Sequence, residues 1–118
     1  APKGVELIVG VTRDPQFGPV LLFGLGGIFV ETIRDVVFRS LPVSRADAEQ
    51  MLGEIKFKAM LDGVRGLPAV DKAAIIELLL KVSALAAAHP EIAEIDLNPV
   101  IAHDKGYTVA DARMILAG

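Results

Sequence analysis

The stretch EIDLNPVIAHDKGYTVADAR, residues 94–113, decides how the chain is read. Two runs rich in Ile, Val and Leu flank the turn signal Asp104-Lys105-Gly106, the pattern of a β-hairpin with strands at about 92–102 and 107–113. Side chains two apart on a strand share a face, so Asp96 and Asn98 point the same way, with Val100 and Ala102 beyond them. If Asp104 and Lys105 form a two-residue loop, His103 faces Gly106. Counting back rung by rung then sets Asn98 opposite Asp111 and Asp96 opposite Arg113, with Cβ atoms about 5 Å apart across each pair. Two carboxylates and an amide carbonyl on one patch are hard oxygen ligands, a set that suits Mg²⁺ completed by water and phosphate oxygens. Arg113 beside them offsets charge or meets a phosphate. On spacing alone a plainer reading fits better: Asp96 and Arg113 form a surface ion pair, Asn98-Pro99 makes a turn or bulge, and Asp111 is solvated. Pro99 has no N–H for a ladder, so the strand is interrupted or at an edge there.

Upstream, VELIVGVT (5–12) and VLLFGL (20–25) read as two strands joined by the turn cluster RDPQFGP (13–19). The segment 28–41 reads as mostly extended. At Ser44 the period changes: SRAD gives a capping box, and Ala48, Met51, Leu52, Ile55 and Met60 recur at helical spacing until Gly63. RGLP (65–68) leads to a second helix with Asp71 as N-cap, Glu77 and Lys81 as an i,i+4 pair, and His89-Pro90 as the stop. The order β-β-β-α-α-β-β implies an α+β domain, a largely antiparallel sheet with two helices on one face.

The 118 residues make one domain. There is no cysteine, which excludes disulfides, thiolate zinc sites and thiol nucleophiles and agrees with a cytoplasmic setting. A net charge of −3 without a basic block argues against nucleic acid or anionic lipid as partner. The longest apolar run, AAIIELLLKVSALAAA (73–88), is interrupted by Glu77 and Lys81 and is too short to span a membrane. APKGVELIVG has no signal-peptide layout. Yet the mean hydropathy, +0.51, is high for a soluble domain. A partner subunit, a second copy or the rest of a longer chain is expected to cover apolar surface.

Other candidates are weaker. GPVLLFGLGGIFVE (18–31) lets backbone approach a ligand but is neither a P-loop nor a dinucleotide fingerprint. Its glycines equally mark a bulge or tight crossover. Arg13 is an anion contact or a hairpin-loop residue. His89 and His103 have no partner at ligand or triad spacing, and no serine stands in a GxSxG context.

GVELIVGVTRDPQFGPVLLFGLGGIFVE (4–31), followed by DVVFR (35–39), by EIK and RG in the helical region and by EIDLNPV…DAR, resembles the ATP-grasp portion of the NDP-forming acyl-CoA synthetases. That family includes ADP-forming acetyl-CoA synthetases and is related to the succinyl-CoA synthetase β subunit. The resemblance covers nearly the whole chain and implies the C-terminal subdomain of an ATP-grasp fold that holds ATP or ADP with Mg²⁺. It implies that Asn98 of the acidic-x-Asn-Pro motif and Asp111 on the partner strand hold the metal, with Asp96 as the acidic member. It also implies that Arg13, Gly26 and Gly27 lie around the nucleotide cleft. The reaction implied is acyl-CoA + ADP + phosphate ⇌ carboxylate + CoA + ATP, through an acyl phosphate and a phosphohistidine. The other ATP-grasp subdomain and the CoA-binding and ligase domains would be partners, in the same or another chain, so this chain is expected to be a fragment inactive alone. The rival expectation is a non-catalytic α+β module whose apolar surface forms a homodimer.

Overall fold

A computed structural model describes residues 4–27, 35–63 and 68–117. Six strands form one sheet: β1 (Val5–Asp14), β2 (Gly18–Leu25), β3 (Val36–Ser40), β4 (Ile92–Ala102), β5 (Tyr107–Val109) and β6 (Ala112–Leu116). The order across the sheet is β3-β2-β1-β4-β5, with β6 also on β4, and every pairing is antiparallel. Two α-helices, α1 (Arg45–Glu54) and α2 (Lys72–Ala88), and a 3₁₀ turn at Lys58–Asp62 lie between β3 and β4. The α+β arrangement expected from the sequence is the one found. Of the extended segment 28–41, residues 28–34 fall outside the described residues, as do 65–67 of the RGLP linker.

One face of the sheet makes the core. The odd-numbered residues of β1, Val5, Leu7, Val9 and Val11, join Leu21, Phe23 and Leu25 of β2 and Ile75, Leu79 and Val82 of α2 in a single buried cluster. Among the described residues no helix lies over the other face. Arg13 continues the odd-numbered series of β1, and its guanidinium donates to the carbonyls of Ile92 (2.7 Å), Ala86 and His89. It thus satisfies C-terminal carbonyls of α2 and complements the negative end of that helix.

Ser44 caps α1 as the sequence implies: its Oγ accepts from the Asp47 N–H, while Asp47 accepts from the Ser44 N–H. These bonds hold the Asp47 carboxyl below its usual range, the Ser44 N–H being the largest cause. The helix does not run on to Gly63, however. It stops at Ile55, which turns extended (φ −65°, ψ 144°). Asp35, only 2% exposed, accepts hydrogen bonds from the backbone N–H groups of Lys56 and Phe57. Those donors would otherwise continue the helical ladder, so a tertiary carboxylate ends a helix that propensity alone would extend. Glu77 also departs from expectation, pairing across to Arg45 of α1 rather than with Lys81.

Candidate functional site

The β4–β5 hairpin has the register counted from its turn. Ala102 faces Tyr107, Val100 faces Val109 and Asp96 faces Arg113. The His103 N–H donates to the Gly106 carbonyl (3.0 Å), and Gly106 adopts φ +73°, a conformation that favours glycine. Between β5 and β6 the ladder continues through two bonds, from the Ala110 N–H to the Pro99 carbonyl and from the Asn98 N–H to the Asp111 carbonyl (3.2 Å). Asn98 and Asp111 are therefore directly opposed, and both are exposed.

The expectation that Val100 and Ala102 share the face of Asp96 and Asn98 does not hold. Leu7 pairs with Val100 but Val9 with Leu97, so the single β1 residue Ile8 spans both Asn98 and Pro99. This bulge adds one residue to β4 and reverses its phase. Val100 and Ala102 turn into the core, while Asp96 and Asn98 stay on the open face. Pro99, joined to Asn98 by a cis peptide bond, sits at the bulge of an interior strand rather than at an edge. The hairpin carries the bulge as a unit, so the Asn98–Asp111 rung survives.

Asp96 borders a cleft of about 210 Å³ on this open face, lined also by Ile8, Gly10, Thr12, Leu22 and Glu94. Gly26 and Gly27 lie towards one end of the same face. The Gly26 N–H donates to the Glu6 carbonyl (2.8 Å), and Gly27 (φ +66°) sits against the Glu6 carboxylate. The structure thus gathers Asp96, Asn98, Asp111 and the glycine pair on one side of the sheet. It does not bring Arg13 to them, because that side chain is engaged with α2 across the sheet. Nor do Asp96 and Arg113, though opposed in register, appear among the four ion pairs of the described residues. Glu6, Thr12 and Glu94 are additions. Glu6 and Thr12 were legible as the even-numbered positions of VELIVGVT, and Glu94 as the residue two before Asp96 in the same strand and register.

Among the described residues no three His, Cys, Asp or Glu side chains cluster closely enough to hold a metal by themselves. Two carboxylates and one amide fit a cation that keeps most of its shell for water and phosphate oxygens, as Mg²⁺ does, and fit poorly a cation that needs a complete protein cage.

A second polar centre ties this hairpin to the helices. The Asp71 carboxylate accepts from the Ala74 N–H (3.1 Å) as the N-cap of α2 and from the Gly106 N–H (2.9 Å) in the hairpin turn. The Asp71 N–H donates to the His103 carbonyl (2.8 Å). The Gly106 and Ala74 donors, in that order, hold the Asp71 carboxyl below its usual range.

Residues 1–116 match the family model described as an ATP-grasp domain. The chain is 50% identical over 115 residues to the β subunit of an ADP-forming acetate–CoA ligase I of Pyrococcus furiosus, covering 98% of this chain and 50% of that subunit. It is 51% identical over 113 residues to an ADP-forming acetate–CoA ligase I of Archaeoglobus fulgidus, covering 96% of this chain and 16% of that protein. The structure superposes with a TM-score of 0.92, at 55% identity, on an acetyl-coenzyme A synthetase 1 of Candidatus Korarchaeum cryptofilum. That structure holds coenzyme A and Mg-AMPPCP, with its phosphohistidine segment pointing towards the nucleotide binding site; the match covers 98% of this chain and 55% of that one. The chain therefore spans about half the length, or less, of these relatives.

Proposed function

The chain belongs to the ATP-grasp domain family, and we propose that it is the magnesium- and phosphate-holding half of an ADP-forming acid–CoA ligase. The observation that carries this reading is the Asn98–Asp111 rung on the open face of the sheet. The Asn98 amide oxygen and an Asp111 carboxylate oxygen are the metal ligands, and Asp96 adds a third oxygen from the same strand. Because these ligands leave most of a cation's shell free, the metal stays open to nucleotide phosphates. Bound there, Mg²⁺ neutralises charge on the phosphates as a phosphoryl group moves between nucleotide and enzyme.

The work of this chain is placement. β1 supplies a rigid floor, and the bulge at Asn98-Pro99 turns Val100 and Ala102 into the core while the ligands stay on the open face. Gly26 and Gly27 let backbone approach the cleft without side chains in the way. Arg13 acts at a distance, by fixing the C-terminus of α2 to β1, and is not a nucleotide contact in this reading. Neither histidine lies among these residues: His89 follows α2 and meets Glu91, and His103 lies at the hairpin turn against Thr108. A phosphorylated histidine, the adenine pocket and the CoA and acid sites must then come from other parts of the enzyme, and the chain alone is inactive. No described helix is long and apolar enough to cross a membrane, and a cytoplasmic ligase is the setting proposed.

Calorimetric titration of Mg-ADP into the complete ligase tests the assignment. Asp111→Asn should weaken binding about tenfold or more, since the anionic charge of one ligand is lost from a sparse set and a neutral amide oxygen holds a hard cation less well. Unchanged affinity and activity would remove Asp111 from the site.

A second reading draws on β6, whose Met114, Ile115 and Leu116 are 44–62% exposed on an edge strand. An interface there suits a homodimerising module, whose dimer would be indifferent to Mg²⁺ and nucleotide. Sedimentation with and without Mg-ADP separates the two readings.

A further inference from the structure

Asp111 owes its place to the register of a very short strand. β5 has three residues, and Asp111 stands just beyond it, in the interruption before β6. A slip of one residue between β4 and β5 would turn Asp111 to the opposite side of the sheet. The turn at Asp104–Gly106 sets that register, and the turn is bonded to the N-terminus of α2 through Asp71 at both Gly106 and His103. α2 is a firm anchor, with Ile75 and Leu79 at 1% and 0% exposure in the core.

We infer that Asp71 is a positioning residue for the metal pair: one carboxylate oxygen caps α2 while the other holds the Gly106 N–H, fixing the hairpin that presents Asn98 and Asp111. The inference rests on the magnesium reading of that pair. The two jobs are chemically separable. A serine at position 71 keeps an oxygen for the Ala74 N–H, as good N-caps do, but is too short and has too few acceptors to serve Gly106 as well. An alanine loses both bonds.

The test compares the complete ligase with its Asp71→Ser, Asp71→Ala and Asp111→Asn variants. Three quantities are read: thermal midpoint, hydrogen exchange at the Gly106 amide, and the Mg²⁺ concentration giving half-maximal activity. Asp71→Ser should leave the midpoint and the α2 amides close to parental. It should also speed exchange at Gly106 and raise half-saturating Mg²⁺ about three- to tenfold, with turnover restored at high Mg²⁺. Asp71→Ala should lower the midpoint as well. A purely capping role predicts parental exchange at Gly106 and parental Mg²⁺ dependence in Asp71→Ser, and that result overturns the inference. If Asp111→Asn shifts the Mg²⁺ dependence and Asp71→Ser does not, only the positioning role falls. If Asp111→Asn leaves it untouched, the metal reading falls and the positioning role with it.

Discussion

The two faces of β1 differ in what they ask of the same ten residues. Val5, Leu7, Val9 and Val11 are at most 4% exposed and lock the strand to α2. Glu6, Ile8, Gly10 and Thr12 alternate with them and carry no covering helix among the described residues. β4 serves the same two faces but with an extra residue at Asn98-Pro99, so the core-facing positions are Ile95 before the bulge and Val100 and Ala102 after it, with Asp96 on the open face. The difference teaches how a site is kept exposed on a rigid floor. One face supplies most of the packing, and the other, where Ile8 and Gly10 are still buried, leaves Glu6 and Thr12 room to be polar.

If that division holds, damage to one face should spare the other. Phe23, fully buried on the helix-bearing face, gives the largest expected effect. Phe23→Ala should cost about 4 kcal/mol of unfolding free energy through lost burial and the cavity left behind. Urea denaturation measures it. At temperatures where the variant stays folded, its Mg-ADP affinity should match the parent, the converse of Asp111→Asn. A large loss of affinity in folded Phe23→Ala would break the division of labour.

Asp35 comes next, because its carboxylate takes the two backbone N–H groups just past the end of α1. Asp35→Ala removes the carboxylate that accepts from the partly buried Lys56 and Phe57 N–H groups, at a cost of about 2 kcal/mol. The affected packing lies in the helix layer, so the loss should again appear in denaturation rather than in magnesium dependence. Circular dichroism sharpens the point: a gain of helical signal would mean that α1 runs on once the carboxylate is gone.

The same contrast explains what could be read from the chain. Register was legible in the hairpin because Asp104-Lys105-Gly106 is a local signal and strand pairing is arithmetic once the turn is fixed. Capping at Ser44 and Asp71 was legible for the same reason, as a side chain bonding three residues on. The bulge was not, since Pro99 announces an irregularity but not which partner strand keeps its phase. The end of α1 was hidden because its cause, Asp35, lies some twenty residues away in sequence. Arg13 misled for a related reason: an arginine beside a turn looks like an anion contact until its place on the odd-numbered face of β1 is known. The metal roles proposed for Asn98 and Asp111 rest on the family resemblance; spacing alone favoured the plainer reading of a surface ion pair and a turn.

The smallest expected effect concerns acid, and it distinguishes the helix layer from the hairpin that the helices support. Asp47 and Asp71 both have carboxyls depressed in the folded state, by Ser44 in one case and by Gly106 and Ala74 in the other. A carboxyl depressed on folding adds stability that is complete above its unfolded value, about 3.9, and is lost as pH falls through the lower folded value. Stability should therefore decline below about pH 4. Asp47→Asn and Asp71→Asn should each flatten that decline, because neither amide titrates. Urea midpoints between about pH 5 and 2.5 follow the effect. The Asp47 change should leave exchange at the Gly106 amide alone, since its bonds stay within α1. The Asp71 change should speed that exchange even at neutral pH, because one amide oxygen cannot serve both Ala74 and Gly106. Equal exchange in the two variants would mean that the hairpin holds its register without help from the Asp71 carboxylate.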